Sequence, residues 1–296
     1  MSKKSWYPWF LLLVLALIWG SSFILMKKGL FNDANEELFS PFQLGSLRLV
    51  IAGVVLLPIS LKYVFKLHRR IIFYLILVAI FGNVIPVFMF SIAQTKLDSG
   101  YVGMLNSLTP IFTFFIAIVA FKQKSRLIQF IGLAIGLIGT IGLISLSVSD
   151  GEFDWKYSFL VMIASGCYGI SVNVIHIKLK EMSSVSIAAI ALLLSAIPGG
   201  LFLVITDLAP VMQIDQANRG LLFIGILSVL GTAFALVLFN KLVQITSAVT
   251  ATSVTYIIPI VAVFWGIKDG EQLSLMYLFY GGIILLGVYL VNRKKG

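Results

Sequence analysis

The sequence has one cysteine and few charged residues. Cys167 lies alone in an apolar run, so no disulfide can form within the chain and no metal-ligand spacing surrounds it. Charged residues make up 11% of the 296, against about 25% in a soluble domain. No aspartate or glutamate falls inside a long apolar run, which excludes a carboxylate proton relay within a membrane. There is no Walker loop, no HExxH, and no cluster of His, Cys, Asp and Glu at ligand spacing. The residues therefore point away from an enzyme, a metal site and a cofactor. No filter-like segment or ring of charge suggests an ion channel. There is no room for a separate soluble domain, since the longest hydrophilic gap is the piece around Thr206–Arg219.

What fills the chain is apolar sequence, at 59% of residues. A membrane helix needs roughly 20 mainly apolar residues. Ten runs meet that length: 9–28, 42–62, 71–94, 100–121, 127–147, 157–178, 186–206, 219–243, 248–267 and 273–292. The fold expected is an all-α membrane protein of ten transmembrane helices. Lys3 and Lys4 before the first apolar run imitate a secretion signal. No small-residue cleavage pattern follows, so the run is read as the first span. Trp6, Tyr7 and Trp9 suit the lipid–water boundary.

The net charge of +10 fits lipid topology better than nucleic acid, because the basic residues sit in short clusters between spans. With both termini cytoplasmic, 15 basic residues face inside, including Lys3, Lys4, Lys66, Lys124, Arg293, Lys294 and Lys295. Six face outside, and Arg48 lies within the second span. Of the 12 acidic residues, only Glu181 falls inside, while Asp150, Glu152 and Asp154 are among those outside. This is the positive-inside pattern of a multi-pass inner-membrane protein.

Sliding the sequence by 149 positions superposes its halves. Trp19-Gly20 falls on Tyr168-Gly169, Ser22 on Ser171, Gly82 on Gly231, Phe90 on Phe239, and Pro110 on Pro259. Residues 1–149 and 150–296 are thus expected to be two repeats of five spans. An odd span number inverts the second against the first, as in many secondary transporters.

Polar side chains within spans are costly unless they face a cavity or another helix. Trp19, Ser22, Asn83, Ser91, Asn106, Ser107, Tyr168, Ser171, Asn240, Thr255 and Tyr256 are the candidates for a substrate-binding surface. Arg48 is the sharpest residue, able to attract a substrate carboxylate or phosphate, to cap helix carbonyls, or to pair with an outer-loop acid such as Asp98. His176 is a candidate proton carrier. Pro86, Pro110 and Pro259 each delete a helical hydrogen bond, freeing the carbonyls of Gly82, Asn106 and Thr255, and should kink their helices. The fifth and tenth spans are nearly free of polar groups. Their glycines suit close helix contact, within the bundle or in a homodimer.

The segment ALIWGSSFILMKKGL, the span with Arg48, the string YVGMLNSLTPIFTFFIAIVAF and its partner SAVTATSVTYIIPIVAVFWGIKDGE resemble the EamA family. This is the ten-span branch of the drug/metabolite transporter superfamily. The resemblance implies inverted repeats, alternating access, a central cavity that excludes the fifth and tenth spans, and export of amino acids or other small metabolites. An organic-anion or phosphate-ester exchanger using Arg48 is the alternative, and a non-transporting receptor or assembly factor is the alternative of another class. The partners expected are a small-molecule substrate and the bilayer.

Overall fold

The computed structural model describes residues 6–65, 67–123, 126–149, 155–271 and 275–292. Among them, β pairing is limited to one bridge between Phe31 and Glu37. The helices are α1 (Tyr7–Leu30), α2 (Pro41–Val55), α3 (Leu57–Val64), α4 (Arg69–Ala79), α5 (Ile85–Ala93), α6 (Ser99–Asn106), α7 (Thr109–Val119) and α8 (Leu127–Ser149). Then come α9 (Trp155–Lys178), α10 (Ser184–Ile205), α11 (Ala217–Ser228), α12 (Ala235–Ile245), α13 (Ala248–Thr252), α14 (Ile258–Lys268) and α15 (Leu275–Asn292). The residues Lys3, Lys4, Lys66, Lys124, Asp150, Glu152, Asp154, Arg293, Lys294 and Lys295 of the charge pattern lie outside the described residues.

Among the described residues, seven units are long and apolar enough to cross a membrane: α1, α4–α5, α6–α7, α9, α10, α11–α12 and α13–α14. The pair α2–α3, bent by 66°, makes an eighth if it counts as one span. The bend lies at Leu56, where Pro58 opens the first turn of α3. The apolar helices α8, of 23 residues, and α15, of 18, complete the set.

Local chemistry fixes the helix starts. Ser40 and Gln43 form a capping box at α2: Gln43 N–H donates to Ser40 Oγ at 3.2 Å, and Ser40 N–H to Gln43 Oε1 at 2.9 Å. Gln43 also donates to the carbonyl of Asp207 at 3.0 Å, tying α2 to the end of α10. Ser183 and Ser247 cap α10 and α13 one way only, their hydroxyls accepting from Ser186 N–H and Thr250 N–H at 3.1 Å each.

Pro86, Pro110 and Pro259 are buried, and Pro110 and Pro259 each sit in the first turn of a new helix, where the missing N–H is no loss. The expected kinks at Pro110 and Pro259 are thus full interruptions: α6 ends at Asn106, and a 3-10 turn over Ser253–Tyr256 precedes α14. Pro86 instead follows a π-helical turn, Ile80–Val84. A second π turn covers Val229–Phe234. Ala235 follows it where Pro86 follows the first, so proline is not what makes the bulge. The two π turns start 149 residues apart, as do α7 and α14, and α6 and α13.

The glycine faces of the fifth and tenth spans are occupied within the chain. A β-carbon on Gly287 would stand 2.7 Å from Gly136 Cα, and one on Gly139 would stand 2.9 Å from the nitrogen of Ile284. Gly136, Gly139 and Gly287 therefore serve the α8–α15 contact within the chain. Ile138, Ile141, Phe279 and Leu286 point outward and are exposed, as lipid-facing residues should be.

Candidate functional site

A cavity of about 110 Å³ lies at the centre of the bundle. Trp19, Ser22 and Met26 of α1, Arg48 of α2, and Asn83 and Phe90 on either side of Pro86 line it. From the other side come Tyr168 and Ser171 of α9, Thr232 of the second π turn, Asn240 of α12, and Thr255 and Ile258 before and after the second interruption. Asn106 and Thr109 close the ring at the α6–α7 break. Among the described residues, none of α8 or α15 lines it.

The π turn explains the seat of Trp19. In a regular helix Ala235 N–H would serve the carbonyl of Gly231. Here it turns back to Leu230 instead. The Gly231 carbonyl accepts from the Trp19 indole N–H at 3.0 Å. The indole lies on Phe239 with ring centroids 5.0 Å apart, while Tyr168 stacks on Phe90 at 5.9 Å. These two pairs exchange under the 149-residue slide, Trp19 for Tyr168 and Phe239 for Phe90. The close approaches of Ser22 to Gly231 and of Ser171 to Gly82 exchange likewise. Phe90 and Phe239 are site residues that their polarity could not nominate, although they matched each other in the slide.

Arg48 is buried, at 7% exposure. Its Nε donates to Thr232 Oγ1 at 2.7 Å, and that hydroxyl also bonds the carbonyl of Leu227 at 3.2 Å. Thr232 therefore fixes the guanidinium. Among the described residues no carboxylate lies within ion-pair distance of Arg48. A buried unpaired charge costs several kcal/mol unless something neutralises it.

The freed carbonyl of Asn106 is not left for a ligand: Thr109 Oγ1 donates to it at 2.8 Å, and to Asn106 Oδ1 at 3.2 Å. Asn83 donates to Ser195 Oγ at 3.2 Å, and Asn240 Oδ1 is buried without a partner among the described residues. Thr255 bonds back to Thr252 at 2.9 Å. Ser91 bonds back to Val87, Ser107 to Met104, and neither they nor Tyr256 line the cavity. His176 also stands apart, its Nδ1 3.3 Å from the carbonyl of Val243.

The EamA-like transporter family matches this sequence twice, over residues 6–145 and 155–293. The chain belongs to that family. An uncharacterized inner membrane transporter of Escherichia coli, YedA, is 26% identical over 96% of this chain and 90% of its own. A S-adenosylmethionine/S-adenosylhomocysteine transporter of Chlamydia trachomatis is 26% identical over 97% of this chain and 89% of its own. A crystal structure of a further protein shares the fold, with a TM-score of 0.66 at 14% identity over 96% of this chain and 95% of that one. The protein is a membrane transporter of the drug/metabolite class and not an enzyme.

Proposed function

We propose that this chain is a secondary transporter of the inner membrane that exports small metabolites such as amino acids by alternating access. On this reading it has ten spans, with both termini cytoplasmic, built as two inverted repeats over residues 1–149 and 150–296. The double family match, the recurring breaks and the exchanged aromatic pairs support the repeats. Inversion is favoured because α1 ends where α9 begins. Lys27, late in α1, meets Glu271 beside Ser99, and Tyr101, two residues on, lies 3.1 Å from Ser158 near the start of α9.

The observation that carries the substrate assignment is Arg48 in the central cavity, oriented by Thr232 and paired with no acid among the described residues. A carboxylate on the solute neutralises it as a planar fork of hydrogen bonds. Trp19, Tyr168, Asn106 and Asn240 then form the aromatic and amide walls. By the measure in which one water takes about 10–15 Å³, the space suits a solute of amino-acid size. S-adenosylmethionine, the substrate named for the Chlamydia relative, also carries an amino-acid end, but its adenosine part needs a wider opening of the same cavity.

The organic-anion or phosphate-ester exchanger is the second reading, and the same unpaired Arg48 favours it. Reconstitution in liposomes separates the two, with a panel of labelled amino acids, S-adenosylmethionine, dicarboxylates and sugar phosphates. Movement of amino acids without the anions supports the first reading. Movement of the anions alone replaces it with the second, and movement of nothing in the panel defeats both.

A further inference from the structure

Far from Arg48, the three segments that meet at the Lys27 end are joined through one carboxylate. Helix α14 ends in a glycine-based cap: Gly270 N–H bonds the carbonyl of Ile267 at 3.1 Å, and Glu271 N–H bonds that of Gly266 at 2.9 Å. Gly270 has φ +88°, the left-handed conformation this cap requires. The turn sends the Glu271 side chain back across Gly266, where a β-carbon would collide with the carboxylate. That side chain is 1% exposed. Its Oε1 accepts from Lys27 Nζ at 3.0 Å and from Ser99 N–H at 3.0 Å, and its Oε2 accepts from Gly100 N–H at 3.2 Å. Ser99 and Gly100 open α6. Asp98 stands at the N-cap position there, yet its side chain caps nothing. Glu271 supplies the negative charge that this helix end favours. Asp269 joins in, 3.0 Å from Lys27 and 2.5 Å from Lys28. Met26, beside Lys27, lines the cavity.

The other end of the bundle has no counterpart. Under the 149-residue slide, Glu271 falls on Lys122, Asp269 on Ala120, Lys27 on His176 and Ser99 on Ala248. Lys122 is exposed, and Ser247 caps α13 by itself. Among the described residues, no ion pair crosses that end. Its ties include the contact of His176 with the Val243 carbonyl, the bond of Gln244 to the Met182 carbonyl at 2.6 Å, the bond of Ser60 to the Ala189 carbonyl at 2.8 Å, and Lys178 over the Tyr74 ring, none of them a pair of opposite charges.

We propose that Glu271 is a latch that closes the cavity mouth at the Lys27 end, holding the end of α1 and the start of α6 to the end of α14. This rests on the alternating-access reading above. A buried carboxylate with three charge-assisted bonds is expensive to strand. Opening this mouth therefore requires the three segments to part together, while the His176 end opens at lower cost. The charge pattern assigns the latched mouth to the outside, so release outward is the gated step.

The test needs no substrate. In a Cys167→Ser background, Met26→Cys reports the cavity to a membrane-impermeant maleimide, applied to each face of proteoliposomes in turn. Glu271→Gln and Lys27→Met should each speed labelling from the Lys27 face by about tenfold, a modest shift in a two-state population, without speeding it from the other. The double variant should add little to either single one, because both remove the same contact. If either single variant fails to give monodisperse protein, Asp269→Asn weakens the better-exposed rim of the network and should move labelling in the same direction by a smaller factor. Unchanged labelling in folded variants, or equal acceleration from both faces, overturns the latch. A transport panel that moves nothing would instead overturn the transporter reading, and labelling registers separately from it.

Discussion

The sharpest residue is the one least suited to its place. Arg48 sits in an apolar helix, braced by a threonine from the other half of the chain and facing no acid among the described residues. Lysine there keeps the charge but loses the fork. Arg48→Lys should therefore cut transport at low substrate by about tenfold or more, with folded yield unchanged. A fall in melting temperature with full transport per folded molecule would make Arg48 structural. Trp19 and Asn106 test the walls of the same cavity. Trp19→Ala removes the indole from Phe239 and from the Gly231 carbonyl. Asn106→Ala removes an amide at the α6–α7 break. Each should lower uptake severalfold, by roughly the weight of one or two lost contacts, at unchanged membrane abundance. Normal uptake in both would remove these walls from the site.

At the scale of elements, the helices divide by what their faces meet. Units broken by prolines or π turns line the cavity together with the unbroken α1 and α9, while α8 and α15 face lipid and each other. In that contact the backbones nearly touch, so it tolerates no added atom. Gly287→Ala should destabilise the protein by about 1–3 kcal/mol, read as a lower melting temperature in detergent, with substrate preference unchanged. Gly282→Ala on the same helix is the control, because nothing lies within 4 Å of its added carbon. Equal melting temperatures for the two variants would refute this account of the contact.

At the scale of the whole molecule, segments distant in sequence set one another's chemistry. Asp98 is pushed above its ordinary pKa of 3.8 by burial first, then by the negative charges of Glu271 and Asp269, against the pull of Lys27. Asp269 is held below its ordinary value: burial would raise it, but Lys28 and Lys27 outweigh burial. The signs differ in consequence. A carboxyl whose folded pKa is raised favours folding at acid pH, and that contribution fades as pH rises through the raised value. Asp98→Asn removes this loss. The variant should melt above the parent at neutral pH and level with it at about pH 3, where the carboxyl is mostly protonated in both the folded and the unfolded chain. Asp269→Asn should do the reverse, melting below the parent at neutral pH. A gain for Asp98→Asn that persists undiminished in acid would show that its charge is not the cause.

The sequence by itself determined the membrane class, the breaks marked by Pro86, Pro110 and Pro259, and most of the polar residues that meet at the centre. Each follows from a local rule: apolar length, proline chemistry, and the cost of a polar group in lipid. The slide by 149 even paired Phe90 with Phe239 before any contact was known. What only the tertiary structure decided was which partner each group found. Thr109, three residues along, took the carbonyl that Pro110 freed. A π turn with no proline after it opened the Gly231 carbonyl to Trp19 from 212 positions away. Gly287 of the tenth span met Gly136 of the fifth inside the chain. Glu271, which reads in sequence as one acid of an ordinary loop, became buried. Hydrogen bonds and burial are properties of neighbours in space, and the pattern along one strand of sequence does not contain them.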